Sequence, residues 1–358
     1  MLAALVALFS PAAAAAGMLN LGPEQIVQAG AGDLQVAGYS VPLLADFNND
    51  GRKDLVVGEG GGGLAGKIRV YLNGGTATAP LFSGFNWLQS NGVTLVVPTE
   101  GCQGAFPRLM QFDADGNKDL LVGQADGTVR LFRNVGTDSE PTFDGGALLA
   151  VGPAGAKSPI DVGYRATIAL TDWNNDGAGD LVLGALDGKI RLYLNEGTPI
   201  EPDFLSATIL QGLAGDLVVP AGRSSPAVMD LDGDGKKDLL VGNTNGEILF
   251  YRNEGTDAAP SFAAYEQVVA DGIPIDLPGS ARSRPYLTDW IGDGLPDLLI
   301  GAGDGKVHLF QMVPEPAALP LLVLGVVPLL GWRGAPARWR GVPARIHPGK
   351  GTAGPGCR

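Results

Sequence analysis

The sequence predicts an all-β fold: a five-bladed β-propeller of four-stranded antiparallel blades, its ring closed by an N-terminal strand segment. Three observations carry this expectation. An acidic loop of the form D-x-[DN]-x-D-G-x-x-D, or a close variant, occurs five times at a nearly constant period. Each copy is followed by an apolar run and a hairpin pattern. The two ends of the array are complementary parts of one unit.

The five loops read DFNNDGRKD from Asp46, QFDADGNKD from Gln111, DWNNDGAGD from Asp172, DLDGDGKKD from Asp230 and DWIGDGLPD from Asp289, with starts 65, 61, 58 and 59 residues apart. A fixed period of this kind marks a repeat architecture. After each loop comes an apolar run ending in glycine: Leu55–Gly58, Leu120–Gly123, Leu181–Gly184, Leu239–Gly242 and Leu298–Gly301. A turn follows (Asp126-Gly127, Asp187-Gly188, Asn245-Gly246, Asp304-Gly305), then an alternating strand such as TVRLFRN or KIRLYLN. Asp-Gly and Asn-Gly between β-rich runs signal hairpins, because a type I′ turn needs positive φ at both central residues. The first unit swells this turn into EGGGGLAG. N-x-G-T and P-x-F (Pro80/Phe82, Pro141/Phe143, Pro202/Phe204, Pro260/Phe262) then lead into a variable outer segment. A last segment, often with proline four residues before the loop (Pro42, Pro107, Pro226, Pro285), returns to the acidic loop.

Four strands per unit at this length fit a propeller blade. Radial repetition also hides strand edges that otherwise invite aggregation. The fifth unit stops at Phe310-Gln311 without an outer strand, while residues 19–38 supply an outer segment with no preceding hairpin. The N-terminal stretch is therefore expected to complete the last blade; an open solenoid is the alternative. The expected propeller spans 17–312, in units of about 18–79, 80–140, 141–201, 202–259 and 260–312.

Composition agrees. Among 358 residues, 55 are glycine, 18% are charged and 45% hydrophobic, which excludes wholesale disorder and favours short strands over long helices. Six of the 25 Lys/Arg and none of the 38 Asp/Glu follow Ala317, so residues 1–316 hold 19 basic groups against 38 acidic ones. Such a body repels phosphate backbones, so no nucleic-acid partner is expected and cations are the natural complement. Cys102 and Cys357 give no disulfide framework.

The ends carry addresses. Residues 1–16 have the outline of a signal peptide cleaved near Gly17, although no Lys or Arg opens it. Near the other end, Val-Pro-Glu-Pro (313–316) precedes the apolar run 317–332 and then Arg333, Arg338 and Arg340. At about 1.5 Å per residue this run reaches roughly 24 Å, short of the ~30 Å hydrocarbon core, and Pro320 and Pro328 weaken it. It suits a transient membrane contact with its basic end on the cytoplasmic side. Residues 341–358 form a basic Gly/Pro-rich tail, expected to be disordered or removed.

Calcium takes six to eight oxygens at about 2.3–2.6 Å from a flexible anionic cage. Alternate loop positions point inward, so residues 1, 3, 5 and 9 can ligate through side chains and residue 7 through its carbonyl, with glycine at position 6 allowing the turn. Unit 4 is the fullest: Asp230, Asp232, Asp234 and Asp238, with the Lys236 carbonyl. Unit 3 offers Asp172, Asn174, Asp176 and Asp180, with the Ala178 carbonyl. Unit 1 offers Asp46, Asn48, Asp50 and Asp54, with the Arg52 carbonyl. Unit 2 has Gln111 beside Asp113, Asp115 and Asp119. Unit 5 has Ile291 at position 3, leaving Asp289, Asp293 and Asp297. Three well-formed Ca²⁺ sites are expected, with weaker filling in unit 2 and unit 5 the doubtful case. An EF-hand is excluded: position 12 is Leu183 in unit 3 and Val241 in unit 4, and strands follow. Dockerin loops open alike but lead into a helix. Position 2 (Phe47, Phe112, Trp173, Leu231, Trp290) is always apolar, expected as packing between blades.

The units resemble FG-GAP/VCBS-type repeats over residues 19–311. That resemblance implies calcium-binding propeller blades, of the kind seen in integrin α-subunits and bacterial surface proteins, with adhesive or carbohydrate-binding roles commoner than enzymatic ones. Residues 313–340 resemble a PEP-CTERM sorting signal (Pro314, Glu315, Pro316). This implies processing by an exosortase in an exopolysaccharide-making Gram-negative bacterium, although the tail runs past Arg340, where such signals usually end.

The function expected is therefore a non-catalytic binding or adhesion module, exported to the cell surface or matrix and binding glycans or surface proteins, with a monomer expected. A purely structural matrix protein or a polysaccharide-active enzyme are the alternatives. Catalysis has little support: His308 and His347 are the two histidines, the first on an expected strand, and no G-x-S-x-G elbow occurs. The candidate ligand residues lie seven before the loops of units 1, 3, 4 and 5: Tyr39, Arg165, Arg223 and Arg282. Placed at the channel mouth opposite the calcium loops, arginines can read hydroxyls or carboxylates. Bonding to a neighbouring blade is the competing use.

Overall fold

The computed structural model describes residues 19–61, 64–98, 104–277 and 282–314. The leader 1–16, Glu315 and Pro316, the apolar run 317–332, the tail 341–358 and both cysteines lie outside them. Every regular element among the described residues is a β-strand, and no helix there is long and apolar enough to cross a membrane.

Five four-stranded antiparallel sheets form the five blades. Blade 1 comprises Val41–Ala45, Asp54–Gly61, Leu64–Tyr71 and Asn86–Trp87. Blade 2 comprises Phe106–Met110, Asp119–Gly123, Val129–Phe132 and Ala147–Leu148. Blade 3 comprises Thr167–Thr171, Asp180–Gly184, Ile190–Tyr193 and Thr208–Ile209. Blade 4 comprises Ser225–Met229, Asp238–Gly242, Ile248–Tyr251 and Glu266–Gln267. Blade 5 takes Arg284–Thr288, Asp297–Gly301 and Val307–Phe310 from the C-terminal part and Gln25–Ile26 from the N-terminal part. Gln25 pairs with Leu309 and Ile26 with His308, so the N-terminal segment closes the ring as expected. Each first strand contacts its two neighbours around the axis, including Arg284–Thr288 against Val41–Ala45, which rules out an open solenoid.

The apolar patterns follow from blade stacking. Each second strand is buried along its whole length because a blade covers each face, so it reads as a continuous apolar run. The five buried clusters each span one blade interface; Leu55, Val57 and Tyr71 of blade 1, for example, pack with Leu299, Val307 and Leu309 of blade 5. The position-2 residues enter these cores: Trp173 packs near Phe262 and Trp290 near Phe82.

Glycine ends each second strand because the next blade passes too close for a side chain. A Cβ on Gly58, Gly123, Gly184, Gly242 or Gly301 would lie 2.2, 2.0, 2.4, 2.2 and 2.3 Å from a backbone oxygen of Ala105, Ala166, Ser224, Ser283 or Ser40, respectively. At three of these contacts a serine adds a stitch. The Ser224 hydroxyl donates to the Lys189 carbonyl at 2.8 Å and accepts from the Ala185 amide at 3.0 Å. Ser283 and Ser40 do the same for the preceding blade. The inner-strand prolines Pro107, Pro226 and Pro42 lie against the same glycines. An inner strand is paired on one side alone, so it tolerates a residue without an N–H.

Candidate metal centres

Each acidic loop joins the inner strand to the second strand, and its ninth residue opens the second strand. All five loops therefore lie at one end of the ring. The position-6 glycines have φ of 84°, 85°, 90°, 86° and 83°, the left-handed turn the sequence calls for. Position 4 is also left-handed in four loops, as Asn49, Asn175, Gly233 and Gly292; Ala114 in loop 2 is not.

The first aspartate caps the turn. Asp46, Asp172, Asp230 and Asp289 each accept the position-6 amide through one oxygen at 3.0–3.1 Å. The other oxygen takes the amide of position 4 or 5. Among the hydrogen bonds of the described residues, Gln111 makes no such cap. Loop 2 thus departs in backbone as well as in charge, whereas loop 5 keeps the backbone of the others despite Ile291. Counting ligands misses this distinction.

The ninth aspartate is almost wholly buried: Asp54, Asp119, Asp180 and Asp238 are 0% exposed and Asp297 is 1%. One carboxylate oxygen accepts the position-2 amide. The other accepts an amide at the end of the third strand, from Asn73, Asn134, Asn195, Asn253 or Met312. It is a backbone clamp. The N-x-G-T asparagines continue the clamp: Asn195 Oδ1 accepts the amides of Gly197 and Asp203, both at 2.9 Å. Their fixed spacing from the loop was visible in the sequence, but the role was not.

Loop 4 brings carboxylate oxygens of Asp230, Asp232 and Asp238 within 4.8 Å of one another. The buried Asp232 Oδ2 accepts no hydrogen bond, although the Arg252 guanidinium lies 2.8 Å away. Burial pushes Asp238 up to about 6, partly offset by the Asn253 and Leu231 amides, and the Asp232 and Asp234 charges add to the rise. Burial likewise lifts Asp119 to about 6. Three converging carboxylates, one of which resists ionisation, form a donor set that a hard divalent cation fits. Loops 1 and 3 place the Asn48 and Asn174 amides at the third position. In loop 1, the Arg52 hydrogen bond holds Asp50 down at about 2.

At the opposite end of the inner strands, Tyr39, Arg165, Arg223 and Arg282 converge on the channel. Arg165 is 0% exposed and donates to the Arg223 and Ser224 carbonyls and to Ser225 Oγ of blade 4. Arg282 Nη1 donates to the Tyr39 hydroxyl, and its guanidinium carbon lies 5.0 Å from that ring. Tyr39, Arg165 and Arg282 are buried; Arg223 is half-buried. Burial puts the first three out of direct reach of a bulky ligand at the channel mouth.

His308 is buried on the third strand of blade 5, facing Glu24 and Asp304. Burial lowers its pKa, but the two carboxylates outweigh that and raise it.

The fold and its loops define a β-propeller built of repeats with cation-type acidic turns. The family model described as FG-GAP-like repeat matches residues 172–241 and 230–300, so units 3 to 5 of the propeller are similar to FG-GAP-like repeats. It is similar to integrin alpha-8 of Gallus gallus, 25% identical over 239 residues that cover 60% of this chain and 21% of the relative. It is also similar to integrin alpha-IIb of Mus musculus, 29% identical over 174 residues covering 41% of this chain and 16% of the relative. The chain thus spans about a fifth or less of the length of these curated relatives. Among solved structures, a GH43 β-xylosidase/α-arabinofuranosidase from a compost microbial metagenome aligns with TM-score 0.49 and 12% identity, over 82% of this chain and 96% of that one.

Proposed function

We propose that this chain is an exported, calcium-braced propeller that serves as a non-catalytic binding module for glycans or surface proteins. Loop 4, with three converging carboxylates, is the strongest calcium position. Loops 1 and 3 come next. Loop 5 keeps the turn with one ligand fewer, and loop 2 lacks the capping aspartate.

One observation carries the binding reading. A groove of about 380 Å³ lies beside loop 1, lined by Phe47, Asn48, Asn86, Trp87, Gln89 and Phe143 among others. Phe85 holds Trp87 edge-on at 5.0 Å, and the Lys67 ammonium lies 4.9 Å from a Trp87 ring centroid. A fixed indole with three amides around it suits the apolar face and hydroxyls of a sugar ring. Among the described residues, His308 is engaged with Glu24 at ring closure, and the buried loop aspartates are occupied by backbone amides. Export and sorting rest on the sequences of residues 1–16 and 313–340.

A glycan array probed in calcium buffer and again in EDTA tests the binding role. Hits lost in EDTA and in Trp87→Ala support it; an array with no hits favours a purely structural matrix protein. A melting temperature unchanged by calcium removal counts against the metal assignment.

A further inference from the structure

The central channel concentrates positive charge without a counter-charge. Arg108, Arg165, Arg282 and Arg284 are 8%, 0%, 7% and 3% exposed, and Arg223 is half-buried. Arg165, Arg223 and Arg282 precede the inner strands of three successive blades and share a left-handed backbone, with φ of 63°, 58° and 46°. Non-glycine residues rarely adopt that conformation, and such strain gathers at functional positions. Among the described residues, none of these five arginines forms an ion pair with a carboxylate.

Hydrogen bonds satisfy part of the set. Arg284 Nη1 donates to the Arg282 carbonyl at 2.9 Å, and Arg108 Nη1 to the Pro107 carbonyl at 2.8 Å. Arg165 Nε, Arg223 Nη1, and Arg284 Nε and Nη2 are buried with no partner. Aromatic faces help without supplying a charge: the Arg284 guanidinium carbon lies 5.0 Å from the Tyr39 ring and 5.6 Å from Phe106. A guanidinium does not shed its proton near neutrality, so burial cannot remove the charge as it does for a carboxylate. Burial chiefly pulls Arg284 down to about 9, with Arg282 and Arg223 adding to the fall. Beside Arg284 lies a cavity of about 10 Å³, lined by Val41, Phe106, Arg108, Thr167 and Ser225 among others. That is room for one water-sized particle.

We propose that the channel binds a single small inorganic anion of chloride size in this cavity, held by the free N–H groups of Arg284 with Arg108 beside them. The anion supplies the missing counter-charge where the inner strands of all five blades meet at the axis. Sulfate and larger organic anions exceed the cavity, so the site selects by size as well as by charge.

The test is a thermal melt of the purified full chain at fixed calcium and fixed ionic strength, with gluconate exchanged for chloride or bromide. The expected result is a saturating rise of a few degrees with either halide and none in Arg284→Met. A crystal soaked in bromide should show an anomalous peak on the channel axis beside Arg284. Halide and gluconate series that superimpose overturn the proposal, as does an equal response in the parent and Arg284→Met. If that variant does not fold, the bromide map of the parent decides: a channel without anomalous density overturns the proposal.

Discussion

Gly184→Ala tests the packing rule that sets the spacing between blades. The added Cβ would lie 2.4 Å from the Ser224 carbonyl oxygen, 2.6 Å from Thr167 Oγ1 and 2.7 Å from Pro226 Cδ. An ordinary carbon–oxygen contact is roughly 3.3 Å, so the overlap approaches an ångström. The first obstacle is backbone, on a strand held by Arg165 and by the Ser224 stitch, and it cannot rotate away. Overpacking of this kind costs about 1–3 kcal/mol, and the lower chain entropy of alanine returns about 0.4–1. A net loss of about 1.3 kcal/mol lowers the melting temperature by roughly 2–3 °C, at the low end of the 2–4 °C per kcal/mol typical of 150–250-residue domains because this propeller is larger. Gly84→Ala is the matched control, because its Cβ meets nothing within 4 Å and its φ is not positive. Both variants are melted in one calcium buffer at one scan rate. Gly184→Ala melting within about a degree of the parent, or a control destabilised equally, would refute the close-approach argument.

Other expectations follow from the loops and the closure. Asp119 and Asp238 titrate near 6 when folded, above their ordinary 3.8. Between pH 4 and 6 the native state therefore holds protons that the unfolded chain has released. Without calcium, stability falls as pH rises through that window, by up to about 1.4 kcal/mol per unit for each group. Calcium prefers the ionised carboxylate, so its stabilising shift in melting temperature should grow from pH 5 to pH 7; equal shifts would contradict the assignment. Asp238→Asn replaces an acceptor of two buried amides by one that can serve a single amide, so a loss of about 3 kcal/mol is expected in EDTA as well as in calcium. A loss confined to calcium buffer would make Asp238 a ligand and not a clamp. The raised pKa of His308 means its pairing with Glu24 stabilises the closure below about pH 6.5 and fades as pH rises through the folded value. Glu24→Gln should thus lower the melting temperature at pH 5.5 more than at pH 8.5, and a pH-independent difference would count against that role.

The blade count, the hairpins, the loop turns and the N-terminal closure were legible in the sequence because they are local patterns or their repetition. Asp187-Gly188 specifies a turn, although Gly188 alone takes a positive φ (80°) and Asp187 does not, so the hairpin is not the type I′ turn expected; five acidic loops at one period specify five like units. The missing outer strand after Phe310 named its replacement near residue 25. Tertiary structure alone decided what adjacent blades do to one another. The sequence shows a glycine after each apolar run, but the carbonyl that forbids a side chain at Gly301 belongs to Ser40, at the other end of the chain. The ninth loop aspartate reads as a metal ligand, yet both its oxygens are held by amides that the third strand and position 2 bring to it. Arg165, Arg223 and Arg282 read as a row at the channel mouth open to a ligand, whereas packing buries Arg165 and Arg282 beside Arg284 and Arg108, two residues no periodicity singled out. A repeat fixes the content of each blade; the rotation from one blade to the next fixes which residues meet at the axis, and no local pattern encodes it.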